Sequence, residues 1–459
     1  MSAKLQHAKD EMILSTMEQL VPEDHLVRKL DKHISFGFIR ELTKPYYSDM
    51  GRPGYNPVIL FKIAFIKSVF GISSIRRTVE EIKINIAYRW FIGIPFSESI
   101  PEHSTYSKNY TLRFMNTDVY NQIFENILSQ AIDAELISYT NINIDSTNIK
   151  ASANKKKYIE KYIKNEKSVF EDEMLEYINE QRKNDEDKPL PPSAPKGNKR
   201  TKESNTDKDS GWLNKGEKEK NFSYNAHTSC DKHGYILNAK IKPSNIHDSK
   251  VFNEVYNDLV KSHGNEITTV AIDAGYYSGP LIKRIFDNAH LPLLPRKKMV
   301  KSKYELLNVL RYNEEGNYYL HENGTTYNYK STNRQGYKLY KNEEKKELRI
   351  SIYQPYLDLV KNLRLSKYGS EVYGKRKETI ERVFADFKER HFGRYTHYRG
   401  LKKVSDHILL IFASMNMKKM ANALSRRDKN NTPITNILIK IRQFIQRKRP
   451  NSKLNLVSL

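Results

Sequence analysis

The chain has 459 residues, with 78 Lys and Arg against 54 Asp and Glu and a net charge of +24, so a polyanionic partner, nucleic acid first, is expected. Apolar residues make up 38%, but 30 Tyr and 18 Phe supply a core, which excludes wholesale disorder at a length that suggests about three domains or one large fold with insertions. The lone cysteine, Cys230, excludes a disulfide framework and cysteine-based metal sites; with no membrane span or signal-peptide core in view, an intracellular soluble protein is expected.

Residues 1–130 read as helical. The apolar stretch 56–70 has Pro57 at a helix start and Gly71 at its end. A second helix follows from Ser73 or Ser74 through Ile75, Val79 and Ile82, with Arg76 and Arg77 in its first turns. Such a pair is either a helix-turn-helix or an ordinary helical hairpin, and spacing alone favours the hairpin. Pro101-Glu-His-Ser-Thr105 offers a cap before a helix over 106–114. The Trp90–Phe91 pair and Phe61, Phe65 and Phe70 read as core.

The middle changes period. Residues 140–147 alternate as a strand ending at Asp145, and 222–230, the turn 231–234 and 235–241 form a hairpin. Residues 248–260 read as a helix capped by Asp248. The β-branched run 266–273 is a buried strand that again ends in an acid, Asp273, and 278–289 is a helix. Residues 151–220 hold 17 basic and 15 acidic residues and a Pro-rich piece. They read as an insertion, helical over 158–181 and mobile over 183–216. Residues 296–365 read as a second, β-rich insertion. Residues 377–391 form an amphipathic helix with Ile380, Val383, Phe384 and Phe387 on one face. Helices over 404–424 and 434–446 follow. The last 86 residues carry 21 basic and 6 acidic residues, and the run Arg447-Lys-Arg449 is a non-specific DNA contact at most.

Two strands ending in Asp145 and Asp273, and a later helix carrying Glu378 and Glu381, can bring three carboxylates together. Converging carboxylates repel unless a cation lies between them, and hard oxygen donors suit Mg²⁺ or Mn²⁺. A pair of such ions activates one oxygen of a phosphodiester displacement and stabilises the other.

In its order of motifs the chain resembles bacterial insertion-sequence DDE transposases over about residues 30–425. The resemblance rests on Gly51-Arg-Pro-Gly-Tyr-Asn-Pro57, Ala87-Tyr-Arg-Trp-Phe91 and Pro101-Glu-His-Ser-Thr105 in the helical part. In the middle and later parts it rests on Ile144-Asp-Ser-Thr147, Tyr224-Asn-Ala-His227, Asn245-Ile-His-Asp-Ser249, Ala271-Ile-Asp-Ala-Gly-Tyr276 and Glu378-Thr-Ile-Glu-Arg-Val-Phe384. It implies an α/β fold. An all-α DNA-end-binding domain (1–130) would precede a ribonuclease-H-like catalytic domain (131–425) with insertions at 151–221 and 296–365, and a basic helix and tail (426–459) would follow. It also implies an enzyme that holds two Mg²⁺ or Mn²⁺ ions through Asp145, Asp273 and Glu381, the last preferred to Glu378. That enzyme would cut the terminal inverted repeats of its element and join the 3′-hydroxyl to target DNA. A homodimer or higher synaptic complex at the bacterial nucleoid, with no membrane partner, goes with that reading.

Lys388 stands seven residues after Glu381, as in the related Tyr-Arg-Glu-Lys signature. The signature's Arg and Tyr would fall on Lys377 and Gly374, whereas Arg376 and Tyr373 are each displaced by one. The expected DNA contacts are therefore Arg76, Arg77, Lys388 and the basic patch Lys375, Arg376 and Lys377. Residues 296–365 lack the cysteine cluster of some relatives, so no zinc is expected. His227 and His247 read as structural at least as readily as catalytic. A catalytically silent DNA-binding descendant, or a metal-dependent nuclease without strand transfer, also fits the sequence.

Overall fold

The computed structural model describes residues 14–48, 50, 54–164, 169–192, 198–216, 219–246, 248–295 and 309–430. The helix expected over 434–446 with its basic tail, and His247, lie outside them. The chain divides into two compact units, residues 137–412 and the remainder on either side of it.

The first unit is helical: α1 Met17–Leu20, α2 Leu26–His33, α3 Phe38–Thr43, α4 Pro57–Val69, α5 Ile75–Ile84, α6 Ile86–Ile92, α7 His103–Asn109 and α8 Val119–Asp133. In α4 Asn56 accepts a hydrogen bond from the Val58 amide, and Pro57 takes the first helical position, where its missing N–H is no loss. Leu60, Phe61, Ile63, Phe65 and Ile66 are buried around this helix, which makes it the centre of the unit. Gly71, at φ 65°, turns the chain after it. Ser74 caps α5 through the Arg77 amide, and α5 buries Ile75, Thr78, Val79 and Ile82. The helix expected over 106–114 begins earlier. Residues Ser104 and Thr105 lie inside α7, and Glu102 at its cap makes no side-chain cap bond. The expected cap is therefore absent, and 110–114 continue as a wider turn.

The second unit is built on a six-stranded sheet. Its strands are β1 Asn141–Lys150, β4 Gly211–Asn214, β5 Lys220–Cys230, β6 Ile236–Pro243, β7 Thr269–Ile272 and β8 Leu291–Leu293. Strand β5 is central and pairs antiparallel with β1 on one side and with β4 and β6 on the other. β7 pairs parallel with β1, and β8 parallel with β7. Strand β5, expected over 222–230, is buried without interruption from Phe222 to Cys230. Helix α10, Asp248–His263, packs on β5 and β6, and α11, Gly279–Asp287, on β8. Asp248 is the first residue of α10.

Residues 158–181 are not one helix. They give strand β2, Tyr158–Lys164, and most of α9, Val169–Asn184. Strand β3, Asn198–Ser204, pairs antiparallel with β2. Cross-strand ion pairs Glu160–Arg200 and Lys161–Glu203 (2.5 Å for the latter) hold that ribbon, so residues whose composition read as mobile form strands. Likewise β4, inside the same stretch, is an edge of the main sheet.

The second insertion is a five-stranded antiparallel meander. Its strands are β9 Leu310–Asn313, β10 Tyr318–His321, β11 Thr326–Thr332, β12 Tyr337–Lys341 and β13 Glu347–Ser351. Tyr327, Tyr340, Leu348 and Ile350 form its core. A helix not foreseen, α12 Gln354–Leu365, follows it. The two insertions join. Ile178 of α9 packs with Ile352 and Tyr353, Asp185 pairs with Lys338 at 2.7 Å, and Asp187 accepts from the Tyr329 hydroxyl at 2.6 Å.

Three more helices follow among the described residues: α13 Lys367–Gly374, α14 Ile380–Arg390 and α15 Leu401–Asn430. Helix α14 lies against β1 and buries Ile380, Val383, Phe384 and Phe387, the face read from the sequence. It starts three residues later than expected, because Thr379 (φ −106°, ψ −94°) breaks the chain after a 3₁₀ turn over Lys375–Glu378. Among the described residues no helix is long and apolar enough to cross a membrane.

Candidate active site

The parallel pairing of β1 with β7 ends at Ile144 opposite Ile272. The next residues are Asp145 and Asp273, so the two acids stand side by side, about one strand spacing (~4.8 Å) apart along the backbone. Asp145 does not end its strand: β1 runs on to Lys150, paired with β5 and, at Lys150, bridged to Tyr395. Asp273 immediately follows β7 and is exposed.

Burial pushes the Asp145 carboxyl above the usual range. Arg376 and the Ser146 amide (2.8 Å) act against that, and the charge of Asp273 adds to it. The partner that answers this charge is Arg376, which is buried. Its guanidinium donates to Asp145 Oδ2, and its Nη1 lies 3.6 Å from Glu381 Oε1. Burial works against the guanidinium charge, yet Asp145, Tyr373 and Asp273 outweigh it and hold the group more firmly protonated than usual. The ion pair therefore dominates at the arginine, whereas desolvation dominates at the aspartate.

Glu381 sits in the first turn of α14 and reaches Arg376; Glu378, in the 3₁₀ turn before the break, does not. Tyr276, just beyond Asp273, is buried, and burial with the nearby Asp248 and Asp145 charges raises its hydroxyl pKa. On the α10 side His227 is buried, with its pKa pushed down to about 4 by desolvation, its Nδ1 3.8 Å from Asp248.

Of the expected DNA contacts, Arg76 and Arg77 are exposed on α5, where Arg77 pairs with Glu81 at 3.0 Å. Lys375 and Lys377 are exposed. Arg376 does not belong to that patch: it turns inward between the carboxylates, because the 3₁₀ turn points it at β1. Lys388 is half-buried. Its pKa is lowered by burial and by the neighbouring Arg394 and Lys215. Sequence reading missed the central place of Arg376, although the three-residue spacing of Tyr373 and Arg376 was there to suggest a shared face.

Asp145, Asp273 and Glu381 are hard oxygen donors of the kind that Mg²⁺ and Mn²⁺ take. The buried, desolvated Asp145 carboxylate is drawn to positive charge, and the donor set fits such an ion in kind. Among the described residues, however, no three acid, histidine or cysteine side chains are grouped closely enough to hold a metal. Arg376 occupies the position of a cation between two of them.

The transposase DDE domain model matches residues 139–417, well over half of the chain, and the transposase domain DUF772 matches residues 15–112. The chain belongs to the DDE transposase family. Membership makes it a DNA transposase: an enzyme that cleaves and transfers phosphodiesters in DNA recombination, in a family that uses divalent metal ions. No curated protein is significantly similar to it. A solved structure, the cryo-EM synaptic complex of piggyBac transposase with hairpin DNA, aligns over 95% of this chain and 85% of that chain, at 10% identity and a TM-score of 0.33. A likeness of that size carries no weight for the fold.

Proposed function

We propose that this transposase binds the terminal inverted repeats of its own element, cuts the ends and joins the freed 3′-hydroxyl to target DNA. The observation that carries the reading is the side-by-side placement of Asp145 and Asp273 at the ends of parallel strands, with Glu381 tied to Asp145 through Arg376. The strand order, β6 and β4 beside β5, then β1, β7 and β8, with only the last three parallel, supports a ribonuclease-H-like core over residues 131–425. Residues 1–130 would recognise the ends, with Arg76 and Arg77 as contacts, and residues 426–459 would add basic charge. Lys375, Lys377 and Lys388 would meet phosphates near the cut.

Asp145, Asp273 and Glu381 would hold two Mg²⁺ or Mn²⁺ ions, which when bound supply Lewis acidity to the attacking and leaving oxygens. The chain itself positions the strand, holds the two aspartates at one level and keeps Arg376 within reach of both flanking carboxylates. Two element ends must meet, so a homodimer or larger synaptic assembly in the bacterial cytoplasm goes with the reading.

The test is cleavage and joining of a labelled duplex carrying the element's ends, with Mg²⁺ or Mn²⁺. Asp145→Asn, Asp273→Asn and Glu381→Gln should each lose activity by about 10³-fold or more, while Glu378→Gln stays active. Loss in Glu378→Gln with activity in Glu381→Gln would move the third carboxylate by one turn. Cut ends without joined product would make the chain a nuclease, and binding without cutting a silent descendant.

A further inference from the structure

Beside Glu381 a groove of about 590 Å³ opens in the second unit. One wall is α14, through Glu381, Phe384, Ala385 and Lys388, and β1 lines it through Ser146, Thr147, Asn148 and Lys150. The far wall comes from the end of the first insertion, Lys215, Glu219 and Asn221, with Arg394 closing one end. Four cations, Lys150, Lys215, Lys388 and Arg394, face two acids, Glu219 and Glu381. Arg394 is bonded to Glu389, but among the described residues Lys150, Lys215 and Lys388 have no carboxylate within ion-pair distance. Lys388 and Lys215 instead repel one another. Lys388 is the half-buried member of the cluster, while Lys150, Lys215 and Arg394 are exposed. Glu219 and Glu389 offset the repulsion at Lys388 only in part, so the groove presents an excess of positive charge that an anion would complete.

We infer that this groove is the seat of the phosphodiester strand being cut, and that Lys215 makes a phosphate contact there, so that the first insertion serves as one wall of the DNA-binding cleft. This rests on the proposed function, because the groove takes its meaning from Glu381. The dimensions agree. Seven residues of helix from Glu381 to Lys388 rise about 10.5 Å, which is about three base steps at 3.4 Å per strand. Lys388 and Lys215 then meet the same backbone within a few nucleotides of the reacting phosphate. The Asn221 side-chain Nδ2 donates to the Glu219 carboxylate at 3.0 Å, and the Lys215 backbone amide donates to the Glu219 carbonyl at 2.9 Å. These bonds tie Lys215 and Glu219 to one another and Glu219 to β5.

Two measurements on the full chain test this. The first is the salt dependence of binding to a generic duplex, by fluorescence anisotropy in EDTA. Each phosphate contact contributes about 0.9 to the slope of log affinity against log salt. Lys215→Ala should reduce the slope by about one and Lys215→Arg restore it. Lys346→Ala, which removes an exposed lysine paired with Glu344 at 2.7 Å in the second insertion, should leave it unchanged. An unchanged slope in Lys215→Ala overturns the assignment.

The second measurement is positional. Cys230 is the chain's one cysteine and is buried, so Lys215→Cys offers the accessible thiol. Duplexes carrying the element's end, with a disulfide-activated tether on one phosphate at a time, should be captured within a few nucleotides of the cut and not a helical turn away. Even capture along the duplex, or none from a preparation whose wild type cuts the same DNA, overturns the groove. Focused capture without any cutting by the wild type would instead leave the groove standing and remove the functional reading.

Discussion

Arg376 is the residue whose replacement reports most on this site. Its side chain is 6% exposed, against 20% for Asp145 and 51% for Glu381. Breaking a buried ion pair by removing one partner costs about 3–5 kcal/mol, since the other charge stays buried alone. Asp145 retains some contact with water, and its raised pKa eases protonation, so the loss in Arg376→Gln should be about 2–3 kcal/mol. At roughly 2–4 °C per kcal/mol for a large domain, the second unit should melt about 4–12 °C earlier.

The same substitution removes the cation that competes with a metal. Addition of Mg²⁺ should therefore raise the melting temperature of Arg376→Gln by more than that of the wild type, because ligand stabilisation grows with affinity. Scanning fluorimetry across a Mg²⁺ titration reads both effects. Asp145→Asn combined with Arg376→Gln should recover part of the stability lost in the single Arg376 variant, since it removes the stranded charge. A variant that melts with the wild type and responds identically to Mg²⁺ would refute the view that Arg376 stands in for a cation.

His227 makes stability pH-dependent. Its folded pKa of about 4 lies below the usual 6.5, so the unfolded chain takes up its proton first as pH falls. The stability it supports is full above 6.5 and is lost on the way down to 4, by up to about 3 kcal/mol. Urea melts between pH 7 and 4 should show that slope, and His227→Asn, which leaves the facing charges of Asp248, Glu254 and Lys242 in place, should flatten it. Gly211→Ala would place a Cβ 2.5 Å from the backbone nitrogens of Ser244 and Asn245. It should cost about 1–3 kcal/mol, and by loosening β4 it should reduce the salt slope of DNA binding as Lys215→Ala does. Phe387, fully buried and 5.1 Å from the Phe412 ring, anchors α14. Phe387→Ala should lower stability by about 3–5 kcal/mol in denaturant melts and weaken activity through the position of Glu381.

The strands that carry Asp145 and Asp273 were legible because both repeat β-branched or alternating residues, although only β7 stops at its acid and β1 runs on to Lys150. The helix start at Pro57 and the second start near Ser74 were legible for the same local reason, whereas the cap expected at 101–105 did not form. What escaped the sequence depends on distance. The β2–β3 ribbon is rich in charge, and only the opposite strand turns Glu160 and Lys161 into partners for Arg200 and Glu203. The docking of α9 on the second insertion needs Asp185 to meet Lys338 and Asp187 to meet Tyr329, pairs far apart in the chain. The groove wall at Lys215 exists because β4 returns to the main sheet, which its four residues did not announce.

The offset of Arg376 has a local cause that changes which residue matters. Tyr373 and Arg376 keep the three-residue spacing of the Tyr-Arg-Glu-Lys signature, and Glu381 and Lys388 keep the seven-residue spacing. The extra residue falls between the two pairs, where the chain passes from a 3₁₀ turn through Thr379, at ψ −94°, into α14. A 3₁₀ turn and a break advance the side chains differently from a continuous helix. One added residue there returns Arg376 to the face that meets Asp145 and sends Lys377 to solvent. Counting along the sequence would align the signature's arginine with Lys377; in the structure it is Arg376 that meets Asp145 and Glu381. Lys377→Ala should accordingly leave stability and the Mg²⁺ response within experimental error of the wild type. Arg376→Lys should lower stability, because an ammonium lacks the fork that spans two carboxylates. The reverse pattern in the same melts would mean that α14 continues unbroken through Thr379 and that the signature spacing holds without adjustment.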